Sequence, residues 1–116
     1  MKKIKIVLLA ISGLFLVSCE SSTVQDVSVV VKNPTYDANI KEVMTSKCTS
    51  CHYGGNQNPD LENYAQVKDA ILNGDLLCRI DDPSVCFGSI MPESGRMPQA
   101  TIDMIKLWQT QNYPEN

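Results

Sequence analysis

Cys48-Thr49-Ser50-Cys51-His52 carries the strongest chemical signal in this chain. It has the C-x-x-C-H pattern through which c-type haem is attached. The spacing has a chemical reason, because two cysteines one helical turn apart can each meet one of the vinyl groups on an edge of haem. The histidine follows directly and can reach the iron. We therefore expect Cys48 and Cys51 to bind one haem c covalently and His52 to be an axial ligand of its iron.

The chain has five cysteines, and a bare C-x-x-C also suits a redox dithiol or half of a zinc site. A thioredoxin-like dithiol would need a βαβ context, which this helical pattern lacks. A zinc site of four cysteines would leave His52 without a role; its ligands would be Cys48, Cys51, Cys78 and Cys86. In an oxidising compartment we instead expect Cys78 and Cys86 to form a disulfide that closes a short loop.

The N-terminus has the composition of an export signal. Three lysines precede an apolar stretch, Ile6–Val17, that is short for a membrane span. It ends in Leu16-Val17-Ser18-Cys19, which resembles the lipobox of bacterial lipoproteins. This resemblance implies a lipid on Cys19 and a place in the bacterial cell envelope, exposed to the periplasm or the outer surface. The alternatives are an ordinary signal peptide or an uncleaved anchor. The expected division is a removed signal peptide, a lipidated tether and one domain, at residues 1–18, 19–35 and 36–116.

The charge balance argues against a nucleic-acid partner. The chain has 10 Lys+Arg and 13 Asp+Glu, for a net charge of −3. Removal of residues 1–18 takes away three lysines and no acid, which leaves 7 basic against 13 acidic residues and a charge of −6. Nucleic-acid binding asks for a basic footprint instead. An acidic surface fits a redox partner with a basic docking patch, or else serves only solubility.

Apolar periodicity predicts three helices, at about 37–51, 62–72 and 98–111. Asp37 is the expected N-cap of the first helix, and Pro98 suits the first position of the last. Trp108 is expected in the core. Between the second and third helices, Leu76, Leu77 and Ile80 form an apolar patch that we expect to belong to the core or to the wall of a haem pocket.

His52 is the only histidine, so the sixth position of the iron must be filled by a methionine, a lysine, a terminal amine or water, or stay empty. Met44 is too close in sequence to the haem anchor to reach the opposite face, and Met104 lies within the last helix. Met91 and Met97 remain, each followed by a proline that restricts the loop backbone. We favour Met91, with Met97 as the alternative. If both only fill gaps, the iron stays five-coordinate and open.

Over residues 37–114 the chain resembles the class I monohaem cytochromes c of bacterial envelopes. That resemblance implies an all-α fold of about three helices and loops around one covalent haem, with Met91 as the sixth ligand. In the family a proline carbonyl often orients the proximal histidine, and Pro59 is the candidate here. A second Met-Pro step and the Cys78/Cys86 pair depart from the family pattern. The matching residues are Cys48–His52, Asn63-Tyr64 with Val67-Lys68, Met91-Pro92 with Gly95, and Ile102, Ile105 and Trp108.

The function expected from these features is one-electron transfer at a membrane surface, not catalysis on an organic substrate. The alternative is a haem-based sensor or a peroxidase-like enzyme with an open distal iron site. Arg96 is the one distal cation that the sequence suggests for such an enzyme. Because so short a domain has a thin core, we also expect the haem-free chain to be largely unfolded.

Overall fold

The computed structural model describes residues 30–116, and over that range the chain is helical with no β-strand. The predicted all-α class is confirmed for this part of the chain. The expected signal peptide, the lipidation site Cys19 and residues 19–29 of the tether lie outside the described residues. Four α-helices are present, namely α1 (Lys41–Lys47), α2 (Tyr64–Leu72), α3 (Leu76–Asp81) and α4 (Gln99–Thr110). None of the helices within residues 30–116 is long and apolar enough to cross a membrane.

The first helical segment begins earlier than predicted. A π-helical turn, Tyr36–Ile40, leads into α1, and its N-cap is Thr35, not Asp37. The Thr35 hydroxyl accepts a hydrogen bond from the Ala38 backbone N–H at 3.2 Å. Threonine is a good N-cap residue because its oxygen satisfies a backbone donor that has no partner within the helix. Asp37 lies in the first turn, where a negative charge favours the helix.

The same segment also ends earlier than predicted. Helix α1 stops at Lys47, and Cys48 leaves helical geometry at φ −124°. The next residues form a tight turn in which the N–H groups of Cys51 and His52 both donate to the Cys48 carbonyl, at 3.1 and 3.0 Å. The C-x-x-C-H stretch is therefore a turn at the C-terminal end of the helix. Three of its residues are tied together by backbone hydrogen bonds.

Helix α2 agrees with its predicted range apart from a start two residues later. A capping box fixes that start, because the Asn63 side chain accepts from the Gln66 N–H while the Gln66 side chain accepts from the Asn63 N–H. Asn73 is the C-cap, as the Asn-Gly step predicts.

Helix α3 was not predicted as a helix. Its two buried residues, Leu76 and Ile80, have the i,i+4 spacing of one helix face. A helix of six residues has room for only one such pair, so its apolar pattern is weak. A 3₁₀ turn, Pro83–Val85, follows α3, and the structure joins Cys78 of α3 to Cys86 by a disulfide. The helix thus lies beside the loop that leads to Met91.

The core is built around Trp108 of α4, which is fully buried as predicted. Three tyrosine rings surround it at centroid distances of 5.1 to 6.1 Å, from Tyr36, Tyr64 and Tyr113. The indole N–H donates to the Pro114 carbonyl at 2.8 Å, and the Tyr64 hydroxyl donates to the Tyr113 carbonyl at 2.9 Å. The aromatic contacts and the hydrogen bonds of Trp108 and Tyr64 to backbone carbonyls both stabilise this part of the described chain.

An ion-pair group joins α3 to α4. Asp81 at the end of α3 accepts from Lys106 of α4 and from Arg96 just before α4. The hydrogen bond from Lys106, together with that from Arg96 and the attraction of both cations, holds the pKa of Asp81 below its usual value. This contact fixes the C-terminal end of α3, which lies within the loop closed by the Cys78–Cys86 disulfide.

Candidate functional site

A surface cleft of about 240 Å³ gathers most of the residues expected to hold a haem. Four segments line it: the end of α1 with the C-x-x-C-H turn, the loop before α2, helix α3, and the loop after Met91. Its principal lining residues are Lys47, Cys48, Cys51, His52, Pro59, Leu61, Asp75, Leu76, Arg79, Met91, Pro92 and Glu93. Residues far apart in sequence therefore meet at one place.

The imidazole of His52 is held in a defined orientation. Its Nδ1 lies 2.8 Å from the Pro59 carbonyl oxygen, so the contact expected between these residues is present. A carbonyl can only accept, so this bond requires the proton on Nδ1, and in the neutral imidazole the free lone pair is then on Nε2. The intervening loop also closes on itself, because the Leu61 N–H donates to the His52 carbonyl at 2.9 Å. Metal-bound histidines characteristically have such a partner on the second nitrogen.

The two thiols of the motif both line the cleft but differ in exposure. Cys48 is half-buried, Cys51 is exposed, and neither takes part in a disulfide. Burial raises the pKa of the Cys48 thiol to about 11. Cys48 also packs against the edge of the core, so one side of the motif is anchored in the fold and the other faces solvent.

The structure separates the two methionines that the sequence left open. Met91 is half-buried and lines the cleft, whereas Met97 is only 4% exposed and belongs to the core. Met44 is likewise buried in the core, and Met104 packs against it. Met91 is therefore the methionine that the fold brings into the same cleft as His52.

Arg96, the distal cation that the sequence suggests for an enzyme, is exposed and does not line the cleft. Arg96 pairs with Asp81 at 2.8 Å and with the Gln99 side chain at 2.7 Å, and it is not among the cleft residues. Arg79 lines the cleft instead and pairs with Asp75 at 2.9 Å. Their i,i+4 spacing was the available signal, and it was missed because the surrounding segment was not predicted to be a helix.

A zinc site of four cysteines is ruled out by the disulfide, because Cys78 and Cys86 are bonded to each other. Within residues 30–116 no cluster of three or more His, Cys, Asp or Glu side chains is placed to hold a metal ion. The cleft offers a different donor set, one imidazole nitrogen and one thioether. An imidazole and a thioether beside two thiols and apolar walls are the groups that would suit an iron held within haem.

No protein-family model, curated protein or solved structure matches the chain. The function of the protein must therefore be inferred from the cleft and its residues.

Proposed function

We propose that this protein is a one-electron carrier with a single c-type haem, bound through thioethers to Cys48 and Cys51 and ligated by His52 and Met91. The observation that carries the proposal is that these residues, about forty positions apart at the extremes, line one cleft. The motif supplies attachment chemistry, and the opposite loop supplies a second ligand. Pro59 orients His52 through its carbonyl.

The ligands suit a carrier that exchanges electrons without rearrangement. Bound haem would supply an iron that changes between the ferric and ferrous states. His52 presents its Nε2 lone pair because Nδ1 is engaged by Pro59. The Met91 thioether carries no proton and is a soft donor, so it favours the ferrous state and raises the reduction potential.

The shape of the cleft suits electron exchange at the surface. Its apolar wall includes the buried side chains of Leu61 and Leu76, which would keep water from one part of a bound group. The cleft volume of about 240 Å³ lies just below the range of roughly 300–1,000 Å³ usual for small-molecule sites. A group as large as haem would therefore keep an edge at the surface, where a partner can approach in a short, weak encounter.

The proposed setting is the bacterial cell envelope, with the domain tethered to a membrane through a lipid on Cys19. A net charge of −6 after removal of the signal peptide favours a redox partner with a basic docking patch and disfavours nucleic acid. We therefore regard the protein as a carrier and not as an enzyme.

The test is an absorption spectrum of protein matured in a host that attaches haem c, in both oxidation states. We expect covalent haem by mass, and a long-wavelength ferric band that reports methionine–iron ligation. Met91→Leu should abolish the band and let the ferrous protein bind carbon monoxide. Met97→Leu is the matched control, since leucine keeps the volume of this core side chain and should leave the band intact.

Two results would reject the proposal. Protein that matures without covalent haem would exclude the cofactor. Protein that carries haem but lacks the band and binds carbon monoxide readily would have an open iron, which favours the sensor or peroxidase-like alternative.

A further inference from the structure

We propose that Arg79 is a positioning residue for Met91, which it holds at the cleft through the backbone of residues 88–91. The inference rests on the proposed function, because it concerns how the second ligand is kept in place. It assigns a role to a residue that neither the haem motif nor the Met-Pro step identifies.

Arg79 contacts the Met91 loop at two separate backbone positions. Its carbonyl accepts a hydrogen bond from the Met91 N–H at 2.9 Å, so the residue that would bind iron is itself tied to α3. Its guanidinium Nη1 donates to the Ser89 carbonyl at 3.2 Å. Helix and loop are therefore joined on both sides of Ile90, and Met91 cannot move away from the cleft without breaking these bonds.

The guanidinium is held in place as well. Its Nε donates to the Asp75 carboxylate at 2.9 Å, which leaves Nη1 directed at the loop. Only 30% of the Arg79 side chain is exposed, while Asp75 is half-exposed, so the pair with Asp75 serves orientation more than stability. The planar fork of arginine can make both contacts at once, which the single ammonium of lysine cannot do in the same geometry.

Gly88 gives independent support for this arrangement. A Cβ atom placed on Gly88 would overlap the guanidinium of Arg79, so the guanidinium lies against the backbone of the loop. Any larger residue at this position would displace the guanidinium from Ser89. The loop therefore has the one residue type that permits the contact.

A methionine ligand needs such support more than the histidine does. His52 follows two covalent attachment points and is oriented by Pro59. Met91 lies in a segment without regular secondary structure, and thioether is a weak ligand. Hydrogen bonds from a charged donor are roughly twice as strong as neutral ones, so Arg79 can hold the loop against thermal opening.

The experiment uses haem-loaded protein and compares Arg79→Gln and Arg79→Lys with Arg96→Gln. Arg96 is a matched control because it is also ion-paired to an aspartate but does not line the cleft. We expect both Arg79 variants to keep full covalent haem, to lose most of the long-wavelength band, and to bind carbon monoxide at least roughly tenfold more readily, as expected for loss of one charged hydrogen bond. Arg96→Gln should match the parent.

Gly88→Ala tests the same contact without changing the charge or Arg79 itself. It should weaken the band in the same direction, because the new methyl group displaces the guanidinium. If Arg79→Lys keeps the parent band, charge alone is sufficient and positioning is rejected. If all three variants keep the band, the inference fails while the proposed function stands. A parent without the band would overturn both.

Discussion

The aromatic core around Trp108 and the cleft lined by His52 differ in how fully the chain buries their side chains and satisfies their polar groups. In the core, the indole N–H and the Tyr64 hydroxyl each find a backbone carbonyl, and the apolar side chains are buried. Among the described residues, Tyr36 has the one buried side-chain polar atom without a hydrogen-bond partner. Along the cleft, Cys48 and Met91 remain half-buried. The chain itself closes the core, while the cleft leaves these two sulfur-bearing side chains partly open to solvent.

The largest expected effect comes from preventing haem attachment with Cys48→Ala and Cys51→Ala together. If haem supplies part of the buried apolar surface of the domain, the variant should lose most of its helix content. The reason is that so small a domain has a free energy of unfolding of only a few kcal/mol. Circular dichroism of the variant beside the haem-loaded parent measures this. The parent expressed without haem-maturation machinery is the control and should behave like the variant. Native-like helix content in both would mean that the Trp108 core is sufficient alone.

The next largest effect tests the core directly. Trp108→Ala should lower the free energy of unfolding of the haem-loaded protein by about 3–5 kcal/mol, the usual cost of deleting a buried aromatic side chain. Leu72→Ala is the control, because this leucine is 61% exposed and should change stability by less than about 0.5 kcal/mol. Denaturant titrations followed by circular dichroism compare the two. If both variants lost an equally small free energy of unfolding, the Trp108 core would contribute less to stability than its burial indicates.

The disulfide should contribute less than the core. Cys78 and Cys86 are 8 residues apart, and closing so short a loop in the unfolded chain corresponds to about 2.5 kcal/mol of stability. Cys78→Ser with Cys86→Ser should lose about that amount in a denaturant titration. The parent treated with a dithiol reductant should lose a similar amount. Unchanged stability in both would mean that the loop closes equally well without the bond.

Local patterns predicted the parts of the molecule that local interactions control. Apolar periodicity predicted α2, α4 and the burial of Trp108, and the helix bounds agree with the structure to within two residues at each end. Pro98, expected at the first position of the last helix, is its N-cap instead. The start of the first helix was wrong because Thr35 and Asp37 are both acceptable caps, and their choice depends on which oxygen reaches a backbone donor.

The sequence predicted the part of the cleft formed by the C-x-x-C-H turn, but it did not predict the contacts between α3 and the Met91 loop. Cys48, Cys51 and His52 are close neighbours in sequence, so their spacing alone predicts that they share one site, and all three line the cleft. The placement of Met91 in the cleft and the contacts of Arg79 depend on how α3 packs against the following loop. Helix α3 is too short for its pattern to be recognised, and contacts between distant segments leave no mark in a single sequence.

The smallest expected effect concerns the ion-pair group that fixes α3 to α4. Lys106 and Arg96 lower the folded-state pKa of Asp81 below its ordinary value of 3.8. The stability that this provides is therefore present above that ordinary pKa and is lost as the pH falls through the lower, folded-state pKa. We expect Asp81→Asn to be slightly less stable than the parent near neutral pH and equal to it in strong acid. Asp103→Asn is the control, because it makes the same change on α4 at a residue that accepts a hydrogen bond from Gln99 and lies outside the ion-pair group, so it should change the stability near neutral pH by less. If the Asp81 variant differs from the parent by the same amount at every pH, its effect comes from lost packing, and the ion pairs do not hold the two helices together.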